Sequence, residues 1–200
     1  MARIRWVEES EATGPIGEVY ANWFQAHPGR PQIPGILKAL SLRPDLLQGM
    51  DEISDQLHFS DGHLTIRLKE MIATQVSSLN RCPYCTGSHA FFLSEQDPDP
   101  KLHGCLAQAD LEGAPLTDPE RALLEFVSLV TRDSHKIRDA DVEMLRNQGW
   151  TEPQIAESVY VAALFAFFNR VANAFGLEDP QFFEEKPAKL GSNHPLDELV

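Results

Sequence analysis

Cys82, Cys85, His89 and Glu70 are the residues of this chain whose types and spacing point to chemistry. The run Cys82-Pro83-Tyr84-Cys85 places a proline just after the first cysteine, where a helix would begin. Cys82 then stands near the N-cap and Cys85 in the first turn. Positions 82, 85 and 89 differ by three and four, so the three side chains share one helix face. A helix N-terminus carries partial positive charge and favours thiolate over thiol. The thiolate is the nucleophile, and His89, one turn on, is a side chain that accepts or returns a proton near neutral pH. Glu70 belongs to the preceding helix, with Ile66 and Ala73 on its own face, which predicts a partly buried carboxylate turned toward the motif. It would orient His89 or relay a proton through water. The set comprises a nucleophile, a base and an orienting group.

Other chemistries compete for the same residues. Cys-x2-Cys-x3-His offers three zinc ligands and Glu70 a fourth, but structural zinc sites favour paired short motifs, and Cys105 is isolated. Free cysteines are often inert core residues. A thioredoxin-like domain would need a βαβ pattern around the motif, and none is present. A redox-active dithiol on a helical scaffold uses all four residues and is the reading adopted, with no metal and no cofactor expected. No glycine-rich phosphate loop occurs, since Gly14 and Gly17 lack a preceding strand. His58 and His63, either side of Asp61, are expected in a solvated loop rather than at a metal. His135 is expected at a cap or in solvent, and Cys105 as a packing residue. Asn169 and Arg170 interrupt an apolar helix, either to satisfy buried polar groups at a helix crossing or to line the active-site cavity.

The elements that must position these residues read as helices. Helical stretches are expected from Ile16 to His27, from Ile33 to Leu42 and from Pro44 to near His58. Leu64, Leu68, Met71, Ile72, Val76 and Leu79 recur at steps of three and four, one stripe of a helix that stops at Asn80. The next helix runs from Pro83 to about Ser94. A short one holds Cys105. Thr117 with Glu120, and Thr151 with Gln154, have the capping-box spacing and open two more helices. The last of these is long, is apolar all round from Val159 to Phe168, and must be buried on several sides, by the fold or partly by another subunit. Strand and hairpin signals are nearly absent, so an all-α fold is expected. Leu64-Thr65 with Arg67-Leu68 and Leu116-Thr117 with Arg121-Ala122 echo one another, as a duplicated helical unit or by chance. One helical domain over 1–178 and a polar tail over 179–200 are expected.

Composition bounds the partners. The chain has 200 residues, with 17 Lys and Arg against 30 Asp and Glu, a net charge of −13. That balance argues against nucleic acid and against an anionic membrane surface. The first nine residues have no apolar signal core, and the run 159–168 is too short to span a bilayer. Three cysteines without a signal fit a reducing compartment, so the cytoplasm is the expected location.

The segment from Arg67 to Asn80, followed by Cys82-Pro83-Tyr84-Cys85 and His89, resembles the alkyl hydroperoxidase D (AhpD)-like branch of the carboxymuconolactone decarboxylase superfamily. So does Phe168-Asn169-Arg170-Val171-Ala172-Asn173-Ala174-Phe175-Gly176, which is similar to the closing helix of its peroxidase-related members. The strong match covers about 30 residues, and the Glu–Cys–Cys–His spacing is its specific part. The resemblance implies an all-helical fold assembled as homo-oligomeric trimers or hexamers, and a thiol-dependent peroxidase. Cys85 would attack a hydroperoxide and become a sulfenic acid. Cys82 would donate a proton and then resolve that acid as a disulfide, with His89 and Glu70 relaying the proton. A lipoyl protein, a thioredoxin-like protein or a small dithiol would be the reductant. AhpD itself carries a second histidine between the cysteines, where this chain has Tyr84. The decarboxylase branch lacks the paired cysteines, which disfavours lactone decarboxylation here. The alternative is a non-catalytic redox-sensing or disulfide-exchange protein built on the same dithiol.

Overall fold

Prolines in the first turn and threonines at the N-cap set where most helices begin. The computed structural model describes residues 2–183, and among them every regular element is helical. In chain order these are α1 (Gly14–Ala26), α2 (Gly35–Lys38), α3 (Pro44–Leu57), α4 (Ile66–Leu79), α5 (Pro83–Gln96), α6 (Pro100–Leu106), α7 (Asp118–Asp133), α8 (Asp139–Asn147) and α9 (Glu152–Phe175). Both expected capping boxes form. The Thr117 and Thr151 N–H groups donate to Glu120 Oε2 at 2.9 Å and Gln154 Oε1 at 3.0 Å. Thr65 caps α4 by accepting from the Leu68 N–H at 3.3 Å.

The stretch from Ile33 to Leu42, expected as one helix, is α-helical only over Gly35–Lys38 and continues as turns. Helix α8 carries little apolar periodicity, with Leu145 its one buried residue, and no expectation had covered it.

Helix α4 packs against α5, α6, α7 and α9. Met71, Ile72, Ala73 and Val76 are fully buried there, at roughly 1.5–3 kcal/mol for each large apolar side chain. A second core joins Ile16, Tyr20 and Trp23 of α1, Leu37 of α2 and Leu47 of α3 to Leu164 and Phe168 of α9. Thus α9 belongs to both cores. It is long and apolar enough to cross a membrane, with mean hydropathy 1.4, yet 56% of its apolar stretch is buried inside the fold. It also carries Glu157, whose Oε1 lies 2.7 Å from Nζ of the fully buried Lys69. Tyr160, Ala163, Phe167, Arg170 and Ala174 lie on the face of α9 left exposed.

Gly176 ends α9 in the left-handed region, φ 75°, where glycine has no Cβ penalty. Leu177 then turns back and donates its N–H to the Ala172 carbonyl at 3.0 Å. Phe182 and Phe183 lie 5.3 and 5.5 Å from Phe91 of α5, ring to ring. The first residues of the expected tail, 179–183, are therefore seated on the helical body; 184–200 lie outside the described residues.

Candidate active site

Glu70 occupies the middle of α4, a helix with neighbours on several sides, and its side chain is 2% exposed. Its two oxygens serve two imidazoles. Oε1 lies 2.8 Å from His58 Nε2, and Oε2 lies 2.8 Å from His89 Nδ1. A carboxylate only accepts, so each ring presents an N–H to it: Nε2–H on His58 and Nδ1–H on His89. Burial works against the charge, but the imidazoles, by field and by hydrogen bond, hold the Glu70 carboxyl down to about 2. Burial pushes the His58 pKa down, against the pull of Glu70.

His58 is where the sequence reading fails. It was expected in a solvated loop with His63, yet it is 1% exposed, while His63 is exposed as expected. It caps the C-terminus of α3, its N–H bonded to the Ser54 carbonyl at 2.8 Å. It extends the buried stripe of Leu47 and Ser54 by one more turn. Phe59, His89 and Phe165 surround its ring edge to face. That continuation of the α3 stripe is the signal by which sequence alone could have found it.

The two thiols form a second group. Cys82 is the N-cap of α5, and its Sγ accepts the Cys85 N–H at 3.3 Å. Hydrogen bonding from the Cys85 thiol, helped by that N–H and by Asn169, lowers the Cys82 pKa against its burial. The Cys82 sulfur beside it, together with burial, pushes the Cys85 thiol up. The helix terminus, through the Cys85 N–H, acts on Cys82 more than on Cys85. Both residues are nearly inaccessible, at 1% and 3% exposure. Ile36, Tyr84, Ala172 and Leu177 pack over them. Burial drives the Tyr84 hydroxyl up to about 12, so it is a neutral phenol beside the backbone of Ile36 and Gly35.

Asn169 takes the first of the roles weighed for it, at a helix crossing. It is fully buried, its Nδ2 donates to Ser77 Oγ at 3.0 Å, and its Oδ1 accepts from Asn80 Nδ2 at 2.9 Å. It thereby ties α9 to the end of α4, close to the thiol pair. Arg170 is exposed and bonds the Ala166 carbonyl instead. Cys105, on α6, is half-buried against the larger core. A cavity of about 490 Å³ borders the motif, lined by Arg3, Arg81, Pro83, Asn173, Leu177 and Asp179 among others.

Among the described residues no hydrogen bond joins His89 to either sulfur. The four-ligand set Cys82, Cys85, His89 and Glu70 is thus divided between two groups. The residues whose ligand atoms do come within 4.8 Å of one another are His58, Glu70 and His89. There each carboxylate oxygen takes its own imidazole at hydrogen-bond distance.

Residues 44–95 match the carboxymuconolactone decarboxylase family. A peroxidase-related protein of Silicibacter sp. TM1040 is 30% identical, over 82% of this chain and 86% of its own, with a TM-score of 0.75. A peroxidase-related protein of Ralstonia eutropha JMP134, described by its AhpD core, is 27% identical over 92% and 95%, with a TM-score of 0.79. The debrominase Bmp8 shares the fold, with a TM-score of 0.70 and 18% identity over 88% and 91%. No functionally curated protein matches the chain.

Proposed function

The chain belongs to the AhpD-like/carboxymuconolactone decarboxylase superfamily, and from that premise we propose that it is a thiol-dependent peroxidase working through Cys82 and Cys85. The observation that carries this reading is the N-cap position of Cys82, whose sulfur accepts the Cys85 N–H. It gives the dithiol one easily ionised member in contact with one protonated member.

The cycle starts from Cys82 thiolate beside Cys85 thiol. Cys82 takes the Cys85 proton as the hydroperoxide arrives. The Cys85 sulfur attacks the outer peroxide oxygen, the O–O bond breaks, and Cys85 becomes a sulfenic acid. The departing alkoxide takes the proton from Cys82 and leaves as an alcohol. The Cys82 thiolate then attacks the Cys85 sulfur, and hydroxide leaves as water with a proton delivered from solvent through His89. Glu70 stays ionised and orients His89 rather than carrying the proton, since its carboxyl is held at about 2. A dithiol, either a lipoyl or thioredoxin-like protein or a small molecule, reduces the disulfide and restores both thiols. Such a cycle belongs in a reducing compartment, the cytoplasm. The exposed Tyr160, Ala163 and Phe167 of α9 support assembly of several copies.

Mass spectrometry of the reduced protein, before and after one equivalent of cumene hydroperoxide with thiols trapped, tests the reading. Loss of two hydrogens mapped to Cys82–Cys85, reversed by dihydrolipoamide and repeated on re-addition, is expected. Unreacted thiols, or oxidation confined to Cys105, would overturn it. The near-complete burial of both sulfurs favours a second reading, a redox sensor that reacts once per site. Sustained peroxide consumption with a reductant separates the two.

A further inference from the structure

His58 is the member of the Glu70 cluster to which the proposed cycle gives no task. Its Nε2 lies 2.8 Å from Glu70 Oε1 in a site closed to water. Its other nitrogen, Nδ1, is buried without a partner. Among the described residues the ring therefore makes one polar contact, and that contact is with Glu70. We propose that His58 is a positioning residue, whose N–H secures Glu70 as a carboxylate and so fixes His89 as the Nδ1–H tautomer, with Nε2 left to exchange protons. This rests on the dithiol reading above.

The chain of cause is short. Glu70 is buried, and burial alone would favour its neutral acid. A neutral carboxyl would have one oxygen bearing a proton. It would then compete with His89 as donor, and the imidazole could turn its lone pair inward and its N–H outward. Two N–H donors, one per oxygen, remove that option. The charged groups around the pair are His89 from α5 and Lys69 from α4, whose ammonium is engaged by Glu157 of α9. Phe59, Phe92 and Phe165 supply uncharged walls. Both His58 and Glu70 fall among the groups that hold each other's charge state, as the depressed Glu70 carboxyl reflects. The inference also accounts for a buried histidine at a helix end, where an apolar residue would continue the stripe of Leu47 at no cost.

Two variants test it. His58→Phe fills the space and offers no donor, while His58→Gln retains an N–H for Oε1. The first readout is the infrared carboxyl band of protonated Glu70, assigned by its loss in Glu70→Gln. It should be absent from the wild type near pH 6, present in His58→Phe, and weak or absent in His58→Gln. The second is the pH dependence of kcat with cumene hydroperoxide and dihydrolipoamide. His58→Phe should lose about tenfold near pH 6 relative to pH 8, with KM unchanged, and His58→Gln should recover most of it. Glu70 still ionised near pH 6 in His58→Phe, with a wild-type profile, would reduce His58 to packing and overturn the inference. So would one equivalent of bound metal in the purified wild type that both variants lose, since His58 would then be a ligand. If neither wild type nor variants turn over, the peroxidase reading fails, while the infrared band still decides the role of His58.

Discussion

Replacing Cys85 and replacing Cys82 are unequal changes, because the two sulfurs hold different positions on α5. Cys85→Ser should abolish hydroperoxide consumption. Cys82→Ser should still react once, leaving a sulfenic acid on Cys85 that dimedone traps, while steady turnover falls by at least about a hundredfold. Dimedone labelling at the serine-flanked cysteine of each variant checks the assignment. Were Cys82 labelled in Cys85→Ser and Cys85 silent in Cys82→Ser, the roles would be exchanged. Glu70 makes a separate prediction about stability. Its folded value of about 2 lies below its ordinary 4.5, so the ionised form stabilises the fold fully above pH 4.5. That contribution is lost as the pH falls through about 2. Glu70→Gln should cost up to about 3 kcal/mol at pH 7 and progressively less toward pH 3, as read from urea unfolding at both pH values.

At the scale of elements, the turn between α3 and α4 is fixed by α9. Glu157 Oε2 accepts the backbone N–H groups of His63 and Leu64 at 2.6 and 2.9 Å, while Oε1 pairs with Lys69. A Cβ on Gly62 would collide with that same Oε1. Gly62→Ala must push the Glu157 carboxylate aside and loosen its pairing with Lys69, a loss of about 1–3 kcal/mol that denaturant unfolding would register. Helix α3 carries an opposite strain. Burial and the neighbouring Asp55 push Asp51 up to about 6 from 3.8. Between those values the folded chain holds a proton that the unfolded chain has released, so stability falls as pH rises through that window. Asp51→Asn should raise stability at pH 7 by about 1 kcal/mol after solvent screening, with no gain below pH 3.8. The same elements show what was legible beforehand. Capping threonines, first-turn prolines and the Cys82–Cys85–His89 spacing along α5 act locally, over one or two turns, and sequence carries them. His58 does not read the same way, because its burial depends on Phe165, which arrives from a helix 107 positions later. The short extent of α2 and the weakly apolar α8 escaped for a related reason: tertiary contacts, rather than a strong stripe of their own, decide them.

For the whole molecule, α9 is the shared member. Its inner side supplies Leu164 and Phe168 to one core, Val161 and Phe165 to the other, and Asn169 to the thiols. Its outer side shows Tyr160, 58% exposed, and Phe167, 36% exposed. Light scattering should give a mass several times 22.4 kDa for the wild type. Tyr160→Glu with Phe167→Glu should shift it to the monomer while helical content is kept. A monomeric wild type would remove assembly from the proposal. The roof over the sulfurs has a consequence of its own. Ile36, Tyr84, Ala172 and Leu177 come from α2, α5, α9 and the turn that Gly176 forces after α9. In the proposed cycle that roof is a sieve by cross-section. A slender, extended arm such as dihydrolipoamide on its tether slips past four side chains, whereas the broad face of a folded dithiol protein meets them all at once. On that cycle, width would bear on the choice of reductant before redox potential does.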